Sequence, residues 1–260
     1  MQFELVYVLS GLAVGFIVGM TGVGGGSLMT PILLHFGIAP SSAVGTDLLY
    51  AAITKAGGVY VHNKKRNIDW SITGWLALGS LPATVVTLLA MHSIGFSSAG
   101  MNSFIKTALG IALIFTALAI LFKTALLNYS HRNDVWITRM SQRQQNIATV
   151  LTGILLGAIV TITSIGAGAV GTVALFLLYP LLPTTKLVGT EIAHAVPLTL
   201  IAGLGHAGFG NLDLSLLGNL LLGSLPGIYV GSHLASNVAD HYLRPVLAAM
   251  LLFVGAKLLL

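Results

Sequence analysis

The chain contains no cysteine, and only 7% of its 260 residues are charged. The first absence excludes disulfides, thiolate metal sites and thiol catalysis. The second excludes an ordinary soluble domain, in which about a quarter of the residues carry charge. Among the charged residues acids are the fewer, seven against twelve lysines and arginines. That excess could serve nucleic acid, but the basic residues gather in two short hydrophilic connections, so membrane topology explains them and nucleic acid is not an expected partner. A basic leader is missing too: the chain opens with Glu4, which reads as a first membrane element and not as a cleaved signal peptide. HExxH, GxGD and Walker sequences are absent, and Gly22-Val23-Gly24-Gly25-Gly26-Ser27 lacks the lysine of a phosphate loop. No metal, cofactor or ATPase chemistry is expected.

What is present is apolar sequence: 55% of the residues are hydrophobic. A helix needs about 20 apolar residues to cross a bilayer. Eight runs meet that need, over residues 3–36, 42–62, 70–91, 101–122, 146–179, 186–206, 213–232 and 242–260. The expected class is an all-α polytopic membrane protein, multi-pass in a prokaryotic-type inner membrane. Lys64-Lys65-Arg66 and the connection holding Lys123, His131, Arg132, Arg139 and Arg143 should both face the cytoplasm.

The order long, medium, medium, medium occurs twice. A shift of 144 places Val44-Gly45-Thr46-Asp47 on Val188-Gly189-Thr190-Glu191, and His62 on His206. It also places Asn67-Ile68-Asp69 on Asn211-Leu212-Asp213, and Leu78-Gly79-Ser80-Leu81-Pro82 on Leu222-Gly223-Ser224-Leu225-Pro226. The chain therefore reads as duplicated four-segment repeats, 1–123 and 146–260, joined by a basic polar connection over 124–145. The first segment of each half is interrupted. If the interrupted segment crosses the membrane, the repeats are parallel; if it dips in and returns, they are inverted. Gly208-Phe209-Gly210, the uncharged counterpart of Lys64-Lys65-Arg66, favours inversion.

The first interruption packs five glycines into positions 19–26. Its counterpart, at a shift of 142, is Thr163-Ser164-Ile165-Gly166-Ala167-Gly168-Ala169. Unpaired backbone in hydrocarbon is costly, so such breaks must be buried in protein or line a wet cavity. Helices that start after them aim N–H groups and a positive dipole end at the occupant. Gly22, Gly24, Gly25, Gly26 and Ser27 would form one half of an anion cradle, and Thr163, Ser164, Gly166 and Gly168 the other. The competing role is close packing of helices through small residues.

Ionisable residues inside the spans come next, because membranes tolerate few of them without function. Asp47, Lys55 and His62 fall within about 80° on one helix. The equivalent seam carries Glu191, His194 and His206, with Thr199 in place of Lys55. Lys55 is the expected partner of an anionic substrate, against a purely structural ion pair with Asp47 or Glu191. Asp47, Glu191, His62, His194 and His206 are candidates for proton coupling or gating. Helix-dipole contacts for the acids and neutral or interfacial roles for the histidines are their ordinary alternatives.

Together, the glycine-rich break followed by Pro31, the Val-Gly-Thr-acid block, the Lys55 to His62 stretch and the Gly-Ser-Leu-Pro block resemble the sulfite exporter TauE/SafE family of membrane transporters. The resemblance covers nearly the whole chain. It implies a secondary transporter of small anions, organosulfonates or sulfur oxoanions such as sulfite, sulfoacetate or taurine-related compounds. Substrate would sit between the repeats, and protons and a homodimeric partner copy are compatible companions beside the lipid bilayer. The second half departs from the family pattern, with Ala167 for a glycine and no equivalent of Pro31. An anion channel, or an intramembrane enzyme using Asp47 and Glu191, is the alternative reading; no enzymatic activity is expected.

Overall fold

The computed structural model describes residues 4–21, 26–95, 98–131, 140–234 and 240–260. These residues form helices and no strand: α1 Leu5–Thr21, α2 Gly26–His35, α3 Pro40–Lys64, α4 Trp70–Ser93, α5 Ser98–His131, α6 Gln142–Thr163, α7 Ala169–Leu178, α8 Thr184–Gly208, α9 Leu214–Leu234 and α10 Asp240–Leu259. Each apolar run is one helix, except that the two interrupted runs are two helices each. α5 outlasts its apolar run, because Lys123-Thr124-Ala125-Leu126-Leu127 contains neither glycine nor proline to stop it. α6 starts behind a capping box in which Ser141 and Gln144 bond reciprocally.

The helix directions follow from which residues touch. Along α3 and α8, Gly45 meets His206 and Asn211, Leu49 meets Gly203, Gly58 meets Ile192, and Gly189 meets His62 and Asn67. The two helices therefore run antiparallel. They occupy equivalent places in the two repeats, so the repeats are inverted. The remaining pairs agree. α1 runs parallel to α9, with Gly11 against Leu220, Gly15 against Ser224 and Gly231 against Phe16. α6 likewise runs parallel to α4, with Gly153 against Leu76 and Gly157 against Ser80. These approaches require glycine: a Cβ on Gly11 would lie 2.2 Å from Leu220 O, and one on Gly153 would lie 2.3 Å from Leu76 O.

Both interrupted segments are re-entrant hairpins. The Phe36 ring, just beyond α2, meets Tyr7 at the start of α1 with centroids 5.9 Å apart. In the second half, Gln145 Nε2 donates to Leu178 O over 2.6 Å, and Thr149 Oγ1 shares a 2.7 Å hydrogen bond with the Tyr179 hydroxyl. Each chain segment thus enters and leaves on one side, and each half crosses three times.

Loops from one repeat lock onto the central helix of the other. The Asp213 N–H donates to Thr46 Oγ1 at 3.2 Å, and the Asp69 N–H donates to Thr190 Oγ1 at 2.9 Å. The same aspartates cap the following helices, Asp69 at Ser71 and Ile72, Asp213 at Leu216. Each cap contributes about 1 kcal/mol.

Five helices are long and apolar enough to cross a membrane, Trp70–Ser93, Ser98–Phe122, Gln142–Thr163, Thr184–Gly208 and Leu214–Gly231. α3 is long enough, but Asp47, Lys55 and its small residues lower its hydropathy. Ile111, Phe115, Leu118 and Phe122 of α5 turn outward with Leu151 and Leu155 of α6, as a lipid-facing belt does. The protein is a multi-pass membrane protein. One end of the bundle gathers Lys64, Lys65, Arg66, Arg143 and Lys186, and is called the basic end below. The far end carries Glu4, His92 and Asp213.

Candidate functional site

The second break is fully described and can be built atom by atom. α6 stops at Ser164, whose φ of 57° is left-handed, and Gly166 follows at φ 117°, a conformation that excludes a side chain without strain. Thr163 spends its hydroxyl on its own chain, donating to Ile159 O at 2.6 Å and accepting from the Ile165 N–H at 3.1 Å. The Gly171 N–H bonds Gly166 O, and the Thr172 N–H bonds Gly168 O, starting α7. That leaves the N–H groups of Ala169 and Val170 without a backbone acceptor among the described residues.

Into this break reaches Lys55, whose ammonium donates to Ala167 O. Lys55 is 7% exposed, and Asp47 and Glu191 are 0% and 2% exposed. Both acids act electrostatically on the ammonium. Asp47 accepts a hydrogen bond from the Thr30 hydroxyl of α2. Ser164 also lies beside the Asp47 carboxyl, but outside hydrogen-bonding geometry, since Ser164 Oγ and Asp47 Oδ1 both lack a partner among the described residues. Glu191 rests against Gly171, where a Cβ would lie 3.1 Å from its Oε1. A methyl group there would push the carboxyl aside by a few tenths of an ångström. The site is therefore one cation with two acids near it: Asp47 touches Thr30 of the first hairpin and lies beside Ser164 of the second, and Glu191 rests on Gly171 of the second.

The histidines surround this centre at different depths. His194 Nε2 pairs with Ser80 Oγ at 2.8 Å. His206 donates from Nε2 to Thr161 O at 2.8 Å, which ties the far end of α8 to α6. His62, at the basic end of α3, is half-buried against Gly189, whereas His206 is fully buried. The structure brings together Lys55, Asp47, Glu191, Ser164, Gly166 and Gly168. Gly22, Gly24 and Gly25 lie outside the described residues, and Gly26 and Ser27 open α2. Among the described residues, no group of three His, Asp or Glu could hold a metal ion.

Sequence reasoning missed Thr30, Tyr50, Ser80 and Ser224. Tyr50 faces Ser224, outside hydrogen-bonding geometry. The pair is the repeat image of His194 with Ser80. The Gly-Ser-Leu-Pro blocks contained the signal, but they served only to align the halves. Thr30 had no signal, because nothing in a linear chain says that α2 folds back beside α3.

Inverted repeats, re-entrant hairpins and a buried charged centre define the class: a multi-pass membrane protein built as a transporter. The sequence profile of the family described as "Sulfite exporter TauE/SafE" matches residues 7–258. The chain is 39% identical to the probable membrane transporter protein YjnA of Bacillus subtilis, over 97% of this chain and 98% of that one. It is 27% identical to the probable membrane transporter protein YdhB of Bacillus subtilis, over 92% and 95% of the two chains. A probable membrane transporter protein of Methanocaldococcus jannaschii is also 27% identical, over 100% and 98%. No solved structure matches the chain. The chain belongs to the sulfite exporter TauE/SafE family, and it is a membrane transporter and not an enzyme.

Proposed function

We propose that the protein is a secondary carrier of a small anion, an organosulfonate or sulfur oxoanion such as sulfite, sulfoacetate or a taurine-related compound. The observation that carries this reading is the Lys55 ammonium at the α6–α7 break, beside the N–H groups of Ala169 and Val170 that lack a backbone acceptor. An oxoanion displacing Ala167 O from the ammonium would meet a point charge and a positive helix end together. The sulfur assignment takes its support from the family description. Alternating access would come from the two hairpins moving against α3 and α8. The burial of all three charged side chains favours a carrier over an open channel, whose filter stays wetted.

The two acids make protons part of the cycle. With Asp47 and Glu191 both ionised, the trio carries one net negative charge and repels an anion. Protonating both leaves the charge of Lys55 alone. Anion entry is then accompanied by proton uptake, with His194, His206 and Tyr50 as neighbouring polar groups. The basic end is the cytoplasmic one by the distribution of lysine and arginine.

A thermal-shift screen of purified protein tests the anion reading. Sulfite, thiosulfate, sulfoacetate, taurine, sulfate and simple carboxylates would be compared. Stabilisation by sulfonates or sulfur oxoanions, lost in Lys55→Met, is the expected result. Stabilisation by carboxylates alone removes the sulfur assignment; stabilisation by none removes the anion.

A further inference from the structure

Two cavities of about 420 Å³ open at opposite ends of the bundle, and they are chemically unlike. The one at the basic end is lined by Asp69, Gln142, Gln145 and Asn146, and Asp69 is paired with Lys186 at 3.2 Å. The one at the far end has Ser41, His92, Ser98, Phe209 and Asn211 in its wall and no acidic lining residue. Ser41 is 8% exposed, and its hydroxyl takes no hydrogen bond among the described residues, while its N–H is held by Asn102 Oδ1 at 3.1 Å. An unpartnered hydroxyl left accessible on a nearly buried residue in a cavity wall is free for a ligand. α3 and α5 both begin at this cavity, at Pro40 and Ser98, and bring their positive dipole ends. The final carbonyls of α8 are quenched, because Phe209 and Asn211 donate to His206 O and Gly210 donates to Ala207 O.

The inner wall of the far cavity is an aromatic partition. The Phe209 ring stacks on His92 at 5.8 Å with planes 7° apart. The same ring meets His206 edge-on, at 6.0 Å and 67°. Beyond His206 lies Thr161 O of the hairpin that ends at the Lys55 break. The loop carrying Phe209 is keyed to α3 at two points, Asn211 O against Gly45 and the Asp213 N–H on Thr46. Asp47 is the next residue. At the basic end the residue equivalent to Phe209 is Lys65.

We infer that the far-end cavity is a docking site for a small oxoanion, received by Ser41, Ser98, His92 and Asn211, and that Phe209 is the door between it and the Lys55 centre. The inference rests on the anion reading and adds an entry site and a gate to it. An anion arriving at the centre favours uptake of a proton from solvent by Asp47, and the Gly45–Thr46 contact carries that change to the Phe209 loop.

The absence of native cysteine makes the test direct. Single Ser41→Cys and Ala167→Cys proteins are labelled in right-side-out vesicles from the extracytoplasmic side. The probes are methanethiosulfonate ethylsulfonate and its cationic trimethylammonium analogue, each with and without sulfoacetate. The Ser41→Cys thiol should react about tenfold faster with the anionic probe, be protected by sulfoacetate, and be indifferent to Phe209→Ala. The Ala167→Cys thiol should react slowly, be protected by sulfoacetate, and react about tenfold faster once Phe209→Ala opens the partition. Protection at position 167 without charge preference or protection at position 41 overturns the docking site and leaves the carrier reading standing. No protection at either position removes both. An Ala167→Cys rate unchanged by Phe209→Ala overturns the door. If Ser41→Cys fails to fold, Ser98→Cys on the same wall replaces it.

Discussion

The two repeats share their packing and differ in their charge. Gly11 and Gly15 do for α9 what Gly153 and Gly157 do for α4, and Thr46 holds Asp213 as Thr190 holds Asp69. Against this frame, Lys55 stands where the other repeat has Thr199, Phe209 where it has Lys65, and Lys186 where it has Ser42. Small residues at helix crossings admit no variation, because a methyl group there meets backbone. Side chains in a central seam or an end loop can diverge, because no backbone contact fixes their size. Symmetry thus builds the transporter, and its breaking gives the two sides different chemistry.

The largest expected effect comes from moving the single cation. Lys55→Thr makes the centres of the repeats alike and leaves two buried acids without their counter-charge. Stranding a buried charge costs about 3–5 kcal/mol, so uptake in proteoliposomes should vanish and the melting temperature should fall. Adding Thr199→Lys returns the charge from the other repeat. Measurable uptake by the double variant would show that the two breaks are interchangeable; none would show that only the second one binds.

Next in size are the crossing glycines, which test the shared part. A Cβ on Gly79 would lie 2.1 Å from Val150 O, and one on Gly223 would lie 1.8 Å from Val8 O. Gly79→Ala and Gly223→Ala should each destabilise by about 1–3 kcal/mol or more, the usual cost of overpacking. Thermal unfolding in detergent measures it. Unequal effects would break the packing symmetry.

Asp47→Asn and Glu191→Gln probe the acids. One unit charge at about 6 Å, with an effective dielectric of about 20, is worth about 3 kcal/mol. In the parent protein, anion affinity should fall as pH rises and the acids ionise. Each amide variant should bind the anion more tightly than the parent at high pH and show a shallower pH dependence by calorimetry. A pH profile identical to the parent's in both variants would remove the acids from coupling.

The smallest effect belongs to the half-exposed Lys186–Asp69 pair. Lys186→Ala should cost no more than about 1 kcal/mol. Asp69→Ala should cost about 1 kcal/mol more, since it also uncaps α4. Equal losses would mean that the cap is idle.

Much of this was legible in one dimension for a physical reason. Hydrocarbon forces each spanning segment to be apolar along its whole length, so the eight runs, the duplication and the membrane class stand in the sequence. Intramembrane charge is rare, so Lys55, Asp47 and Glu191 could be named without a structure. Other features depend on which surfaces meet. That the breaks are hairpin tips and not kinks appeared only from Phe36 on Tyr7 and Leu178 on Gln145. Thr163 was a candidate donor to substrate, yet its hydroxyl serves its own helix end.

Sequence alone therefore determined that the chain lives in a membrane, is duplicated, and carries one cation and two acids in its core segments. Tertiary structure decided that the halves are inverted, that the cation lies at the second break near both acids, and that Phe209 touches both a cavity and His206. The division has one cause. Solvation by lipid acts on each segment separately and leaves its mark in composition. Direction, re-entrance and the meeting of Lys55 with Ala167 O depend on helices far apart in the chain, and no local pattern encodes them.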